Sequence, residues 1–280
     1  MPLVTTGEIV AEAVSARRGC GAFNAIQLEH ITAIVEGAAL ADAPVIVQLS
    51  QNAVRYHGAL APIGGAALAA ARAAEARVAV HLDHAESREL VREAVALGFG
   101  SVMFDASKLD YADNVRETRE VAAFCHDHGV WVEAELGEIG GKDGVHAPGA
   151  RTDPGEAAEF VAATGVDALA VAVGSSHAML TRDAALDFDL IARLRERVPV
   201  PLVLHGSSGV PDEGLAEAVR AGMTKINIAT QLNKVFTAAA AGDWRAHPER
   251  VDPRKYLGAG RDAVMTEVRR LLRVLVLTDA

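Results

Sequence analysis

Short apolar runs alternate along this chain with longer amphipathic segments, and this alternation narrows most sharply what the chain can fold into. The runs read as strands at "GAFN" (21–24), "PVIVQLS" (44–50), "VAVHLD" (78–83), "SVMFD" (101–105), "WVEAEL" (131–136), "ALAVAVG" (168–174), "PLVLHG" (201–206) and "KINIA" (225–229). Between them, segments such as "SRELVREAVALGF" and "DEGLAEAVRAGM" repeat apolar residues every three or four positions, the period of an amphipathic helix. Several end in glycine ("ALGFG", "DHGV", "ATGV", "RAGM"), which accepts the left-handed backbone of a helix C-cap.

Eight β/α units with strands too apolar for one-sided burial predict an α/β (β/α)₈ TIM barrel. An open doubly wound sheet is the structural alternative. No Pro/Ser-rich linker divides the 280 residues, so the chain reads as a single domain spanning 1–280. Two stretches break the alternation. The Gly-rich segment 136–157 follows a strand with two glutamates and is expected to be a mobile loop at the functional end, and 238–260 is expected to be an irregular polar insertion.

Composition excludes several classes of function. The formal net charge is −10 and no basic run opposes it, which argues against nucleic-acid partners and anionic membrane surfaces. No apolar run is long enough to span a bilayer, and the N-terminus lacks the pattern of a signal peptide. Cys20 and Cys125 form no framework or CxxC pair, as expected of a reduced, cytoplasmic protein.

Chemistry collects at the C-terminal ends of the strands, which converge on one face of a barrel. They carry Asp83 and His84, Glu133 and Glu135, His177 in "GSSH", His205 in "HGSSG", and Asn227 and Thr230 in "NIAT". Three histidines from three strands can surround one ion and leave a fourth position open, the pattern of a catalytic zinc. Strand alternation puts His81 and Asp83 on one face, so spacing alone does not choose between His81 and His84. The turns "HGSSG" and "NIAT" lie where barrels commonly hold phosphate.

Taken in order, "HLDHAES", "VEAELGEIGG", "AVAVGSSH", "LVLHGSSGVPDE" and "KINIATQL" resemble the class II, metal-dependent ketose-bisphosphate aldolases, which include the fructose- and tagatose-1,6-bisphosphate enzymes. The resemblance runs from "GAFN" to "DPRKYL". It implies that His84, His177 and His205 are zinc ligands and that Asp83 exchanges a proton with the substrate's C4 hydroxyl. It places Glu135 close to the metal and Asn227 against the enediolate. Gly206, Ser208, Asn227 and Thr230 would hold dihydroxyacetone phosphate, with Na⁺ or K⁺ beside the phosphate. Ser50 would lie on the far-phosphate side, and Arg254 would reach that phosphate across a homodimer or homotetramer. The implied activity belongs to carbohydrate metabolism and glycolysis: reversible cleavage of a ketose bisphosphate, fructose first, to dihydroxyacetone phosphate and glyceraldehyde 3-phosphate.

The chain also departs from the family pattern. The loop "GGKDG" lacks the glutamate that moves the C1 proton, leaving Asp143 or His146 as candidates to replace it. Ala178 and Gly258 replace a glycine and an arginine, and a lysine expected after His177 is missing, with Arg182 the candidate in its place. Ala229 stands where many fructose-bisphosphate enzymes have aspartate, a tagatose-like feature. These changes leave open tagatose 1,6-bisphosphate, another aldehyde partner, and a non-catalytic sugar-phosphate-binding barrel. A Schiff-base aldolase would need a lysine on an interior strand, and only Lys225 qualifies.

Overall fold

The computed structural model describes residues 2–137, 151–177 and 179–277. Its strands are β1 (Cys20–Asn24), β2 (Val45–Ser50), β3 (Val78–Ala85), β4 (Ser101–Phe104), β5 (Trp131–Glu135), β6 (Ala168–Ala170), β7 (Leu202–Leu204) and β8 (Met223–Ile228). They pair in parallel, each with its neighbour in sequence, and β1 closes on β8 through Cys20↔Lys225 and Ala22↔Asn227. The sheet is therefore a closed barrel, and the open doubly wound alternative is excluded. Every strand is buried on both sides, which is why each reads as a nearly continuous apolar run.

The pleat sorts side chains between two layers. In β2, Val45, Val47 and Leu49 pack outward in the layer shared with the helices, while Ile46 faces the interior. The interior is filled by small residues (Ala22, Ala79, Ala168, Ala170) with Met103, Ile46 and Val203. Helix α1 (Thr6–Ala16) closes the N-terminal end, packing Ile9 and Val10 against Cys20, Ala22, Ile46 and Ala79.

Around the barrel run α2 (Leu28–Ala41), α3 (Gln51–His57), α4 (Leu60–Ala73), α5 (Arg88–Leu97), α6 (Tyr111–Asp127), α7 (Pro154–Thr164), α8 (Phe188–Arg197) and α9 (Asp212–Ala221). Ser50, Ser87, Asp110, Asp153 and Asp187 cap the starts of α3, α5, α6, α7 and α8 by accepting backbone N–H groups. Each such cap is worth ~1 kcal/mol. As expected from the glycine signals, Gly98 and Gly165 end α5 and α7 in the left-handed conformation.

The segment 238–260 is not irregular. It continues α10 (Thr230–Ala246) and starts α11 (Pro253–Leu275), leaving only 247–252 between them. The alanine run has high helix propensity, and Asp252 caps α11 with Pro253 in its first turn. Of the Gly-rich stretch, 154–157 belong to α7. Asp143, His146 and Ala178 lie outside the described residues.

Candidate active site

The site grows out of an irregularity in β3. Val78, Val80 and Leu82 face the helices, but the next residue to do so is Ala85, three positions on. The register against β4 shifts between Leu82 and Ala85, and His84 takes a left-handed backbone conformation, φ 49°. Simple alternation would send either Asp83 or His84 to the helix layer. The bulge instead lets both line the same cavity, which His81 does not reach. His81 lies lower in the barrel, fully buried, with Nδ1 2.8 Å from Ser101 Oγ and its ring edge-on to Trp131.

This cavity, of about 180 Å³, opens at the C-terminal end of the strands. Asn24, Ser50, Asp83, His84, His177, His205, Gly206, Ser208, Asn227, Ala229 and Thr230 line it, so the ends of six strands and the turns after them contribute. Ligand atoms of His84, His177 and His205 lie within 4.8 Å of one another. The His84 ring centroid is 4.7 Å from that of His205 and 5.3 Å from that of His177. Burial, then the neighbouring His84, holds the His205 imidazole well below its ordinary pKa, so it is neutral and able to bind a metal.

Carboxylates back two of these rings. His84 Nδ1 is 2.7 Å from Asp105 Oδ2, and His205 Nε2 is 2.8 Å from Glu133 Oε1. Ser107 steadies Asp105 by donating from Oγ at 2.6 Å. Glu135 is fully buried and offers an oxygen in a second cluster of possible ligand atoms with His84 and Asp105.

Asp83 is almost fully buried. Asn24 Nδ2 donates to its Oδ2 at 2.7 Å, and Gln48 Nε2 donates to Asn24 Oδ1 at 3.1 Å, so a chain of side chains from β2 and β1 aims the carboxylate. Burial pushes this carboxyl's pKa up. The opposing pull of His84, His205, Lys225 and the Asn24 amide outweighs burial and holds it at about 2, so Asp83 is a carboxylate at neutral pH.

The turn after β7 is built on Gly206, at φ 65°, where a Cβ would sit 2.6 Å from the Ser176 carbonyl carbon. Ser175 Oγ donates to His205 O at 2.6 Å and Ser207 Oγ donates to Asn227 O, tying the ends of β6, β7 and β8 together. Ser208 Oγ accepts from Gln231 N at 3.2 Å, at the start of α10.

Two sequence candidates lie elsewhere. Arg254 is on the first turn of α11, 88% exposed, paired with Asp252 at 2.8 Å and outside the cavity of its own chain. Arg182 is held by Val210 O and, at 2.6 Å, by Asp212, also away from the cavity. Lys225 does not line the cavity either. It is fully buried, 2.8 Å from Glu133, which removes the geometric basis for a Schiff-base reading. Asn24, Gln48 and Asp105 were not singled out from sequence. Their one signal was a polar residue in or just after an apolar strand.

The comparisons agree with this geometry. The family model described as "Fructose-bisphosphate aldolase class-II" matches residues 4–279. A fructose-bisphosphate aldolase of Giardia intestinalis is 37% identical over 290 residues, covering 94% of this chain and 90% of that protein. The crystal structure of the YdjI aldolase from Escherichia coli K12 superposes with a TM-score of 0.86 at 31% identity, covering 98% of this chain and 97% of the other. Fructose-bisphosphate aldolase from Campylobacter jejuni, at 21% identity and a TM-score of 0.81, covers 98% of this chain and 95% of its own and shares the fold. A (β/α)₈ barrel with three histidines and a buried aspartate at its mouth, matched from end to end by this model, belongs to the class-II fructose-bisphosphate aldolase family.

Proposed function

We propose that this chain is a zinc-dependent aldolase that cleaves a ketose 1,6-bisphosphate, fructose 1,6-bisphosphate first, reversibly into dihydroxyacetone phosphate and glyceraldehyde 3-phosphate. The observation that carries this reading is the convergence of His84, His177 and His205 on one point beside the carboxylate of Asp83. Three imidazoles facing an open cavity suit a catalytic zinc. The carboxylates behind His84 and His205 are the kind of partner that orients zinc-binding histidines. When bound, zinc supplies a Lewis acid that accommodates negative charge on the ketose carbonyl oxygen.

The chain's own groups do the rest. Asp83 takes the proton of the C4 hydroxyl as the C3–C4 bond breaks and returns it in the condensation direction. Asn24 and Gln48 keep its oxygens aimed at that hydroxyl. Asn227 donates from Nδ2 toward the three-carbon fragment, and Glu135 lies close to the metal, its carboxylate within 4.8 Å of a ring nitrogen of His84. Gly206, Ser208 and Thr230 receive the fragment's phosphate, with Na⁺ or K⁺ beside it, in an acidic chain that offers few basic residues there. Ser50 stands on the far-phosphate side, and Arg254 serves a neighbouring subunit of a homodimer or homotetramer. The exposure of Arg254 supports that role. The buried free thiols of Cys20 and Cys125, pushed up to about 12 by burial, suit a reducing cytoplasm.

Tagatose 1,6-bisphosphate, or a ketose yielding another aldehyde, is the second reading, and Ala229 in the cavity wall favours it. A non-catalytic sugar-phosphate-binding barrel would have no use for Asp83 as a base. The deciding experiment offers both bisphosphates to the purified protein with zinc and with a chelator. Cleavage of either one with zinc, abolished by the chelator, is the expected result. Cleavage of neither by the zinc-loaded protein overturns the proposal.

A further inference from the structure

We infer that Lys225, acting with Glu133, is a positioning residue that sets the tautomer of His205 and the orientation of the Asn227 amide together. This inference rests on the zinc-aldolase reading above. Lys225 is 0% exposed, inside the barrel on β8, with no route to solvent for its charge. Its Nζ lies 2.8 Å from Glu133 Oε2 and donates to Asn227 Oδ1 at 2.7 Å. The other carboxylate oxygen, Oε1, is 2.8 Å from His205 Nε2.

The donor and acceptor inventory then leaves little freedom. A carboxylate only accepts, so the contact with Glu133 puts an N–H at Nε2 of His205 and makes Nδ1 the nitrogen that can offer a lone pair. An ammonium only donates, so Asn227 turns Oδ1 toward Lys225. That leaves Asn227 Nδ2 directed at the cavity side, 3.5 Å from Asp83 Oδ1, with the His205 ring edge beside it, 3.3 Å away at the acceptor Nδ1 and 3.1 Å away at Nε2. An imidazole tautomer and an amide flip are each nearly two-fold degenerate without such partners. One buried ion pair resolves both.

Packing alone does not explain the pair. Apolar residues of similar volume usually replace a buried ion pair at little or no cost in stability. Here each member also meets a group that lines the site, Lys225 through Asn227 Oδ1 and Glu133 through His205 Nε2. The interior position of Glu133, on the same strand face as Glu135, gives it reach to β7 and β8 at once.

The test uses the full-length protein and its Lys225→Met and Glu133→Gln variants. The first readout is ¹⁵N-histidine NMR of the zinc-free wild type, where His205 is expected as the Nε2–H tautomer. In Glu133→Gln that preference should be lost. The second is zinc affinity by competition with a chromogenic chelator, expected to fall about 10- to 100-fold in Glu133→Gln. The third is steady-state kinetics, where Lys225→Met should lower kcat at least tenfold with KM changed by less than threefold. The double variant should be no worse than the poorer single one, because both remove the same device. An Nδ1–H tautomer in the wild type overturns the inference without any variant, even if Lys225→Met does not fold. So does a variant with a lowered melting temperature but native zinc affinity, kcat and KM. If the wild type binds no zinc and cleaves no bisphosphate, the aldolase reading fails instead, and the tautomer still decides this inference.

Discussion

Replacing Gly206 with alanine should damage both stability and metal binding, through a contact that contains no catalytic group. At φ 65° an alanine is in the left-handed region, costing roughly 1–2 kcal/mol. Its Cβ would also stand 2.6, 2.7 and 2.8 Å from the carbonyl carbon, oxygen and nitrogen of Ser176. These are backbone atoms, so relief requires moving the chain, at roughly 1–3 kcal/mol for an overpacked site. Together the costs come to about 2–5 kcal/mol, a fall in melting temperature of roughly 5–15 °C for a domain near this size. The displaced residue precedes His177 and the substituted one follows His205, so zinc affinity should fall as well. Melting followed by circular dichroism, with zinc competition on the same samples, measures both. Gly65→Ala is the control: it lies inside α4 with nothing within 4 Å of an added Cβ, and it should melt at or slightly above the native temperature. A Gly206→Ala protein that melts and binds zinc like the wild type would refute the argument.

Alanine at His84, His177 or His205 should each empty the zinc site and abolish cleavage, whereas His81→Ala should retain zinc; metal analysis after dialysis distinguishes them. Asp83→Ala should keep zinc and the fold while turnover drops by roughly two to four orders of magnitude, as read from steady-state kinetics. Arg254→Ala should raise KM for a bisphosphate by about 10- to 100-fold, the equivalent of a charge-assisted contact of ~1.5–3 kcal/mol, and leave dihydroxyacetone phosphate binding nearly unchanged. Because the folded-state pKa of Asp83 is lowered to about 2, its ionisation stabilises the metal-free fold above the usual carboxylate range, and that stabilisation is lost as pH falls toward 2. Denaturant titrations of wild type and Asp83→Asn should therefore differ more at pH 7 than at pH 2.

The barrel was legible because parallel strands buried on both sides announce themselves as apolar runs, and all eight were located. The strand-end histidines were legible for the same reason, since a polar residue stands out against such a run. That His84 rather than His81 lines the cavity was not open to periodicity. It depends on a left-handed residue in a strand, which histidine does not advertise. Asn24 and Gln48 were hidden because their role is to aim another side chain, a relation between strands far apart in sequence. Glu133 and Lys225 were visible as charges on interior strands, but their pairing is a contact across the barrel. The helical character of 238–260 was obscured by glycine, proline and charge, which in fact mark one helix ending and another being capped.

The bulge in β3 also limits how this site can be transplanted. On a regular strand, two side chains sharing a face are separated by two residues, about 6.6 Å along the strand. Asp83 and His84 are consecutive and both face the cavity, a denser arrangement than the pleat allows. An engineer copying these side chains onto an idealised barrel would send either Asp83 or His84 out among the helices. The graft must carry the backbone of 82–85 with it, including a non-glycine residue held at positive φ.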